Sequence, residues 1–269
     1  MGERKIIDAS AKLNTVESIR ADLGRLGVRE GDTLLVHSSL SKIGWVCGDA
    51  EAVILALQQA LGSAGTLVMP AHSGQNSDPA EWANPPVPSA WLEEIYAHMP
   101  AFDPDYTATR AMGRIAEQFR SLPGTLRSYH PQVSFAARGP HAAGITGVHA
   151  LTPQFGQDSP LGALYRLDAK VLLLGVGYDS CTTFHMAETQ IEEMPRKRMG
   201  AAILEDGVRT WKWFEDYAYD SDDFDRLGQD FEEQGHAAVG KVGMAECRLL
   251  PVRAAVDYAA SWLKKHRFA

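Results

Sequence analysis

An alternation of amphipathic helices and short apolar runs over the first 70 residues limits what this chain can fold into. Asn14 is expected to cap a helix whose apolar residues recur at three- and four-residue spacing and which ends at Gly27. Residues 33–37 (TLLVH) and 66–70 (TLVMP) predict buried strands, and a helix that Asp49 caps is expected between them. This order predicts an α/β fold in which a central, largely parallel or mixed sheet is flanked by helices.

The rest of the chain continues this alternation around one long loop. Residues 71–89 are polar and contain four prolines, which predicts a loop, and loops of this length in a compact domain usually have a function. No repeat or linker divides the sequence, so residues 1–269 are expected to form a single layered α/β domain. The apolar patterns predict helices over 90–99, 113–121, 185–191 and 254–265, and strands over 133–137, 171–174, 211–214 and 248–252.

The net charge of the chain is confined to one segment. The 269 residues carry a formal charge of -8, and residues 205–233, with eleven acids and three bases, account for all of it. A chain without a basic cluster lacks the phosphate contacts of a nucleic-acid binder. No stretch approaches the roughly 18 apolar residues of a membrane span, and the N-terminus lacks the apolar core of a signal peptide. We therefore expect a soluble, cytoplasmic protein that binds neither nucleic acid nor membranes.

The three cysteines, Cys47, Cys181 and Cys247, are far apart in the sequence and odd in number. This pattern argues against a disulfide scaffold and against a cysteine-rich zinc site. The sequence from His185 to Glu188 is not H-E-x-x-H, which excludes the zinc-protease motif. No metal is expected.

Polar side chains follow the predicted strands, at the end of the sheet where α/β proteins bind ligands. His37, Ser38, Ser39 and Leu40 come directly after the first strand, in a turn whose hydroxyl and N–H groups can hold a carbonyl or phosphate oxygen. A serine-rich turn without a ligand is the alternative. Arg110 precedes a predicted helix start, a position that suits a phosphate, although a surface ion pair would explain it equally well.

His185 and Glu188 are three residues apart and would share one face of a helix. A histidine beside a carboxylate can act as a general base near neutral pH, but such a pair is also found simply solvated on a helix surface. Asp179 is a second carboxylate that could orient this histidine. Cys181 is the one cysteine near enough in sequence to form an acyl-enzyme, and no activating base is evident for it.

The acidic segment is interleaved with aromatic residues. Glu215, Asp216, Asp222 and Asp223 could hold a polycation through charge-assisted hydrogen bonds. They lack EF-hand spacing, and most acidic runs are solvated faces.

Several ordered motifs resemble one family. They are VHSSLSKIGWVCGDAEAVILAL, GTLVMPAHS, DPDYTATRAMGRIAEQFR, SYHPQVSFAARG and DSPLGALYRLDAKVLLLGVGYDSCTTFHMAE, followed by the tryptophan-rich acidic segment. From about residue 15 onward the chain resembles the aminoglycoside N-3-acetyltransferases, the antibiotic acetyltransferases that do not have the GNAT fold.

The resemblance implies transfer of acetyl from acetyl-CoA to the 3-amino group of a 2-deoxystreptamine aminoglycoside, and hence antibiotic resistance. It implies that His185 is catalytic, with Glu188, His37 and Asp179 near it. The residues implied to bind acetyl-CoA are Ser38, Ser39, Leu40, Arg110, Met112, Gly113, Ser134 and Phe135. Those implied to bind the antibiotic are His72, Glu215, Asp216, Asp222 and Asp223.

Two alternatives stay open at this point. A member of the same family could acetylate a different amine metabolite, because specificity depends on the divergent loop 71–89 and on the acidic segment. A non-catalytic CoA-binding protein is the other alternative, although it would be expected to lack the His185 and Glu188 pair. The oligomeric state is also left open.

Overall fold

The computed structural model describes residues 3–268, so the predicted domain range 1–269 extends beyond the described residues at both ends. The helices are α1 (Glu3–Ala9), α2 (Val16–Leu26), α3 (Leu40–Ile43), α4 (Asp49–Leu61), α5 (Leu92–His98), α6 (Gly113–Arg120), α7 (Ala142–Thr146), α8 (Pro160–Arg166), α9 (Thr183–Glu188), α10 (Phe224–Glu233) and α11 (Val252–Arg267). The strands are β1 (Thr33–Ser38), β2 (Thr66–Pro70), β3 (Leu126–Arg127), β4 (Phe135–Arg138), β5 (Lys170–Leu174), β6 (Arg196–Glu205), β7 (Val208–Tyr217), β8 (Ala238–Val242) and β9 (Ala245–Pro251).

Seven of these strands form one mixed sheet in the order β3-β4-β2-β1-β5-β9-β8. β1 lies between β2 and β5 and is parallel to both, as the helix–strand alternation predicts. Within the described residues the outer pairings are antiparallel, from β2 to β4 and β3 on one side and from β5 to β9 and β8 on the other. The predicted α/β sheet flanked by helices is confirmed in its mixed form, with the parallel part limited to the centre.

The central strands are apolar on both faces because helices cover both sides of the sheet. Alternate residues of β1 therefore enter different clusters: Leu34 and Val36 pack with α2, α4 and α6, whereas Leu35 packs with α7 to α11. The continuous run TLLVH is the sequence signature of this double burial. None of the helices in the described part of the chain is both long and apolar enough to span a bilayer.

β6 and β7 form a separate hairpin of two ten-residue strands, paired from Arg196 opposite Tyr217 to Glu205 opposite Val208. Its two-residue turn, Asp206 and Gly207, has φ angles of 50° and 78°, the left-handed geometry that suits a hairpin. The strand predicted over 211–214 is the middle of β7. β6 was not predicted, because RKRMGAAILE has neither strict alternation nor a bounded apolar run.

Two predicted helix caps were displaced by one residue. Thr15, not Asn14, caps α2, and it forms a reciprocal capping box with Ser18. The Asn14 amide is buried and donates to the carbonyls of Ile43 and Trp45. Gly48 stands at the N-cap of α4, and Asp49 is its first residue.

Candidate active site

The three parallel strands end at one edge of the sheet, and each leads to a predicted site residue. β1 ends in His37 and Ser38, β2 is followed by His72, and β5 leads through Gly175 towards α9, which carries His185. At Gly175 φ is 71°, and a Cβ there would lie 2.7 Å from the Lys42 Cβ, so this turn requires glycine. The parallel centre of the sheet thus collects residues that are far apart in sequence.

His185 and Glu188 form a close pair on α9. The His185 Nδ1 lies 2.5 Å from the Glu188 Oε2, and the two side chains are 15% and 0% exposed. A surface pair would be solvated, so the low exposure excludes that alternative. Asp179 is not the partner of this histidine: it is exposed, and its amide donates to Asp225.

Aromatic rings surround the imidazole of His185. Phe155 stacks on it with the ring centroids 5.1 Å apart, Tyr219 meets it edge-on at 5.5 Å, and Phe224 lies at 4.8 Å. These contacts restrict the ring to one orientation. Since Nδ1 is engaged by a carboxylate, Nε2 is the nitrogen left to accept a proton.

His37 and His72 are two further imidazoles at this edge. The His37 Nε2 lies 3.3 Å from the hydroxyl of Thr182, the residue before α9, and burial lowers the pKa of His37 to about 4. Burial lowers the pKa of His72 to about 3, helped by its neighbours His37 and His185. Both rings are therefore neutral at pH 7. The His72 Nε2 is buried without a hydrogen-bond partner among the described residues.

A cavity of about 890 Å³, the size of a small-molecule site, adjoins this edge. Five of the residues predicted to bind acetyl-CoA line it: Ser38, Ser39, Leu40, Met112 and Gly113. Ser38 of the lining is next to His37 in β1, and the hydrogen bond from His37 to Thr182 connects this end of the cavity to the start of α9. Trp45 and Arg114 also line it. Both lie within the motifs that resemble the family, but neither was predicted to bind acetyl-CoA.

Three other predicted cofactor residues lie outside this cavity. Ser134 is fully buried, and its hydroxyl bonds the Ala71 carbonyl and accepts from Arg127. Phe135 is also fully buried, in the core. Arg110 is exposed, and its amide donates to the His72 carbonyl, which places its backbone next to the site.

The four predicted antibiotic-binding acids lie in different environments. Glu215 and Asp222 are exposed. Asp216 is fully buried and accepts hydrogen bonds from the amides of Gln154 and Tyr217, so its carboxylate supports the loops beside His185 and does not face a ligand. Asp223 is paired with Arg267.

Arg267 is a residue of the site that the sequence did not reveal. It lies 79 positions from Glu188 in sequence, yet its Nη1 donates to the Glu188 Oε1 at 2.5 Å. Phe155 and Tyr219 were missed for the same reason, because only the folded chain brings them to His185. No local motif could have indicated these contacts.

Cys181 is fully buried in the core, and burial raises the pKa of its thiol to about 12. A thiol in that state is not a nucleophile at neutral pH, which agrees with transfer that does not pass through an acyl-cysteine. Among residues 3–268, no group of three or more His, Cys, Asp or Glu side chains is arranged to hold a metal ion.

Comparison with known protein families identifies the family of this chain. The family model for aminoglycoside 3-N-acetyltransferase matches residues 35–264. The chain belongs to this family. The prediction that it is an aminoglycoside N-3-acetyltransferase-type transferase is thereby confirmed.

Among its relatives, the SPbeta prophage-derived aminoglycoside N(3')-acetyltransferase-like protein YokD of Bacillus subtilis is 46% identical over 96% of both chains. Its crystal structure covers 98% of this chain and 98% of its own, with a TM-score of 0.96. Aminoglycoside N(3)-acetyltransferase VII of Streptomyces paromomycinus is 34% identical over 98% of this chain and 96% of its own.

Some of the similar solved structures contain a ligand. AAC-IIIb with CoASH has a TM-score of 0.84 and 29% identity, covering 94% of this chain and 97% of that one. AAC-VIa bound to sisomicin has the same TM-score and identity, covering 96% of this chain and 100% of that one.

Proposed function

We propose that this protein transfers the acetyl group of acetyl-CoA to the 3-amino group of a 2-deoxystreptamine aminoglycoside, with His185 as the general base. The observation that carries the proposal is the buried pair of His185 and Glu188, 2.5 Å apart, beside a cavity of about 890 Å³. Family membership, a relative solved with CoASH and another with sisomicin support the two substrates.

The cavity suits the long, partly apolar arm of a CoA thioester. Leu40 and Met112 offer apolar surface, and Ser38 and Ser39 offer hydroxyls. Arg114, which is paired with Asp49 of the same lining, offers a positive charge for phosphate. Gly113 has nothing within 4 Å of where a Cβ would be, so the backbone there is open to a ligand. Bound acetyl-CoA would supply the acetyl thioester.

Residues of the chain can then remove the proton of the substrate ammonium group. An ammonium group must lose a proton before its nitrogen can attack a thioester, and the free Nε2 of His185 can take it. Glu188, held at Nδ1, fixes the tautomer and stabilises the imidazolium that forms. The amide of Ser39 already donates to the Leu174 carbonyl at 2.9 Å, so the Leu40 amide is the donor from this turn that we assign to the developing oxyanion.

The test is an assay of CoA release with gentamicin-, kanamycin- and neomycin-type substrates, with the product's acetylation site determined by NMR. We expect acetylation at the 3-amino group. In His185→Ala we expect kcat to fall by about 10²- to 10⁴-fold, the usual contribution of a general base, with CoA binding retained in calorimetry. His98→Ala, at an exposed histidine outside the site, is the matched control.

Other outcomes would replace the proposal. Turnover with small amine metabolites but with no aminoglycoside would identify a different amine substrate. Tight acetyl-CoA binding without turnover on any amine would identify a CoA-binding protein. A His185→Ala variant with wild-type kcat would remove His185 from the mechanism.

A further inference from the structure

Arg267, on the last turn of α11, joins the buried carboxylate of the site to the acidic segment. Its Nη1 donates to the Glu188 Oε1 at 2.5 Å, and its Nε and Nη2 bind both oxygens of Asp223 at 2.8 and 2.5 Å. Nη2 also donates to the Asp220 carbonyl at 2.8 Å, and the Asp220 amide donates to Glu188. The side chain is 13% exposed. This fork ties α9, α11 and the loop before α10 together at a single point.

The charge on Glu188 needs this partner. Glu188 is 0% exposed, and a buried carboxylate without a cation is costly. With neutral His185, the charge of Glu188 is offset by Arg267. The same guanidinium also binds Asp223, but that carboxylate is 30% exposed and is partly solvated. Without the arginine, the buried pair of His185 and Glu188 would carry one negative charge and would lower its energy by binding a proton on the imidazole.

The arginine itself stays charged. Burial alone would lower the pKa of Arg267, but its hydrogen bonds to Asp223 and Glu188 outweigh burial and raise it. The charge that it places beside Glu188 is therefore present throughout the working pH range.

The other titratable groups around His185 do not supply a positive charge. His72, after β2, is neutral at pH 7 because burial lowers its pKa to about 3. Burial and Asp216 raise the pKa of Tyr219, so this phenol is also neutral. Asp216 accepts from the Tyr219 hydroxyl, and the Asp220 carboxylate accepts from the Asp222 amide. Among residues 3–268, Arg267 is the cation within hydrogen-bond distance of Glu188.

We infer that Arg267 is a positioning residue that keeps His185 neutral, and so able to accept the substrate's proton, by cancelling the charge of Glu188. This inference rests on the proposed role of His185 as the general base. It means that α11, through Arg267, helps to set the protonation state of the proposed general base.

The first test is the pH profile of kcat/KM in Arg267→Gln and Arg267→Met, which both remove the charge. We expect the acidic limb to move to higher pH by about one unit or more, given the strength of charge interactions at this range in a protein. Activity at pH 6.5 should fall about tenfold and should recover to within about threefold of wild type near pH 9. Arg267→Lys, which keeps a positive charge, should restore most of the shift.

Arg248→Gln is the matched control. Arg248 is 20% exposed and is likewise held by two carboxylates, Glu232 and Glu246, but none of these residues contacts His185 or Glu188. We expect a comparable loss of Tm and an unmoved pH profile. A uniform loss of activity at every pH in the neutral Arg267 variants, with the acidic limb unmoved, would show that Arg267 is only structural.

The second test needs no substrate. The His185 ring signals are followed by NMR as a function of pH in the unliganded full-length protein and in its Arg267→Gln variant. We expect the titration midpoint to move upward by about one unit. An unmoved midpoint would overturn the inference about Arg267. Absence of acetylation in a wild-type protein with the expected midpoint shift would overturn only the proposed function.

Discussion

At the scale of single residues, the function of a side chain here depends on what covers it. His185 and Glu188 share a helix face whether or not the helix is buried, and only burial at 15% and 0% exposure turns the pair into a catalytic candidate. Asp216 shows the opposite outcome. In sequence it looks like its acidic neighbours, but in the fold its carboxylate binds backbone amides and is removed from solvent.

Cys181 provides a residue-scale test of direct transfer. Because its thiol is buried and has a pKa raised to about 12, we expect Cys181→Ala to keep kcat within about twofold of wild type. Mass spectrometry of the wild-type protein mixed with acetyl-CoA should show no acetyl adduct on this residue. A loss of a hundredfold or more, together with such an adduct, would instead establish an acyl-enzyme route.

Buried neutral histidines make the stability of the fold depend on pH. Burial lowers the pKa of His37 and of His149 to about 4 and that of His130 well below its usual value. In the unfolded chain these rings bind protons near pH 6.5. The free energy of unfolding is therefore unaffected by these rings above pH 6.5 and falls as the pH drops towards 4. For His37 and for His149 the loss is roughly 2 kcal/mol each between pH 7 and pH 5.

Urea denaturation at pH 7, 6 and 5 measures this dependence. His149→Gln should reduce the slope of unfolding free energy against pH by about one histidine's share, whatever its effect at pH 7. His98→Gln, at an exposed position, should leave the slope as it is in wild type. An equal slope in wild type and His149→Gln would show that this ring is not buried in its neutral form.

At the scale of elements, the long loop 71–89 holds the β6–β7 hairpin on the body of the protein. Asn76 is buried, and its amide both donates to the Ala202 carbonyl at 3.1 Å and accepts from the Ala202 amide at 3.0 Å. Gln132 donates to the carbonyl of Gly200 in the same strand. The polar, proline-rich loop is thus ordered by side-chain bonds to a strand that lies more than 100 residues later.

We expect Asn76→Ala to lower the free energy of unfolding by about 1–3 kcal/mol, because it leaves the buried amide and carbonyl of Ala202 without this partner. Glu81→Gln is the control on the same loop. It removes an exposed ion pair to Lys197 of the hairpin, at 3.1 Å, and should cost less than about 1 kcal/mol. Equal costs in urea denaturation would show that Asn76 does not anchor the hairpin.

At the scale of the whole molecule, the structure shows where the acidic segment, residues 205–233, lies relative to the site. The part of the acidic segment from Glu215 to Asp223 lies against the pair of His185 and Glu188, because Tyr219 contacts the His185 ring and the Asp220 amide donates to Glu188. Asp223 is paired with Arg267, and Glu232 with Arg248. Glu215, Asp220 and Asp222 are the exposed acids of this part. We propose that they offer a negative surface to a cationic substrate.

Neutralising two of these exposed acids, in Glu215→Gln with Asp222→Asn, should raise the aminoglycoside KM about threefold or more and weaken its dependence on salt, with kcat little changed. The matched control is Glu30→Gln with Asp168→Asn, two exposed acids before the amino ends of β1 and β5, at the opposite edge of the sheet. Unchanged KM and salt dependence in the first variant would mark the acidic segment as a solvated face.

The sequence determined the local elements and much of the chemistry. Apolar runs such as TLLVH gave the central strands, glycines marked helix ends, and the spacing of His185 and Glu188 placed them on one helix face, because these patterns depend on interactions between residues close in the chain. The family motifs indicated the function for a similar reason, since each motif is a continuous run of residues that can be recognised without the fold.

The tertiary structure alone decided the pairing of β6 with β7, the burial of Asp216, and the contact of Arg267 with Glu188. It also decided between the two predicted forms of the sheet, largely parallel or mixed, in favour of a mixed sheet with a parallel centre and antiparallel edges. Each of these depends on segments that meet across the fold, and the free energy of such contacts comes from burial and charge neutralisation that exist only once the chain is folded. The pattern of apolar residues within one segment does not indicate which distant segment will pack against it.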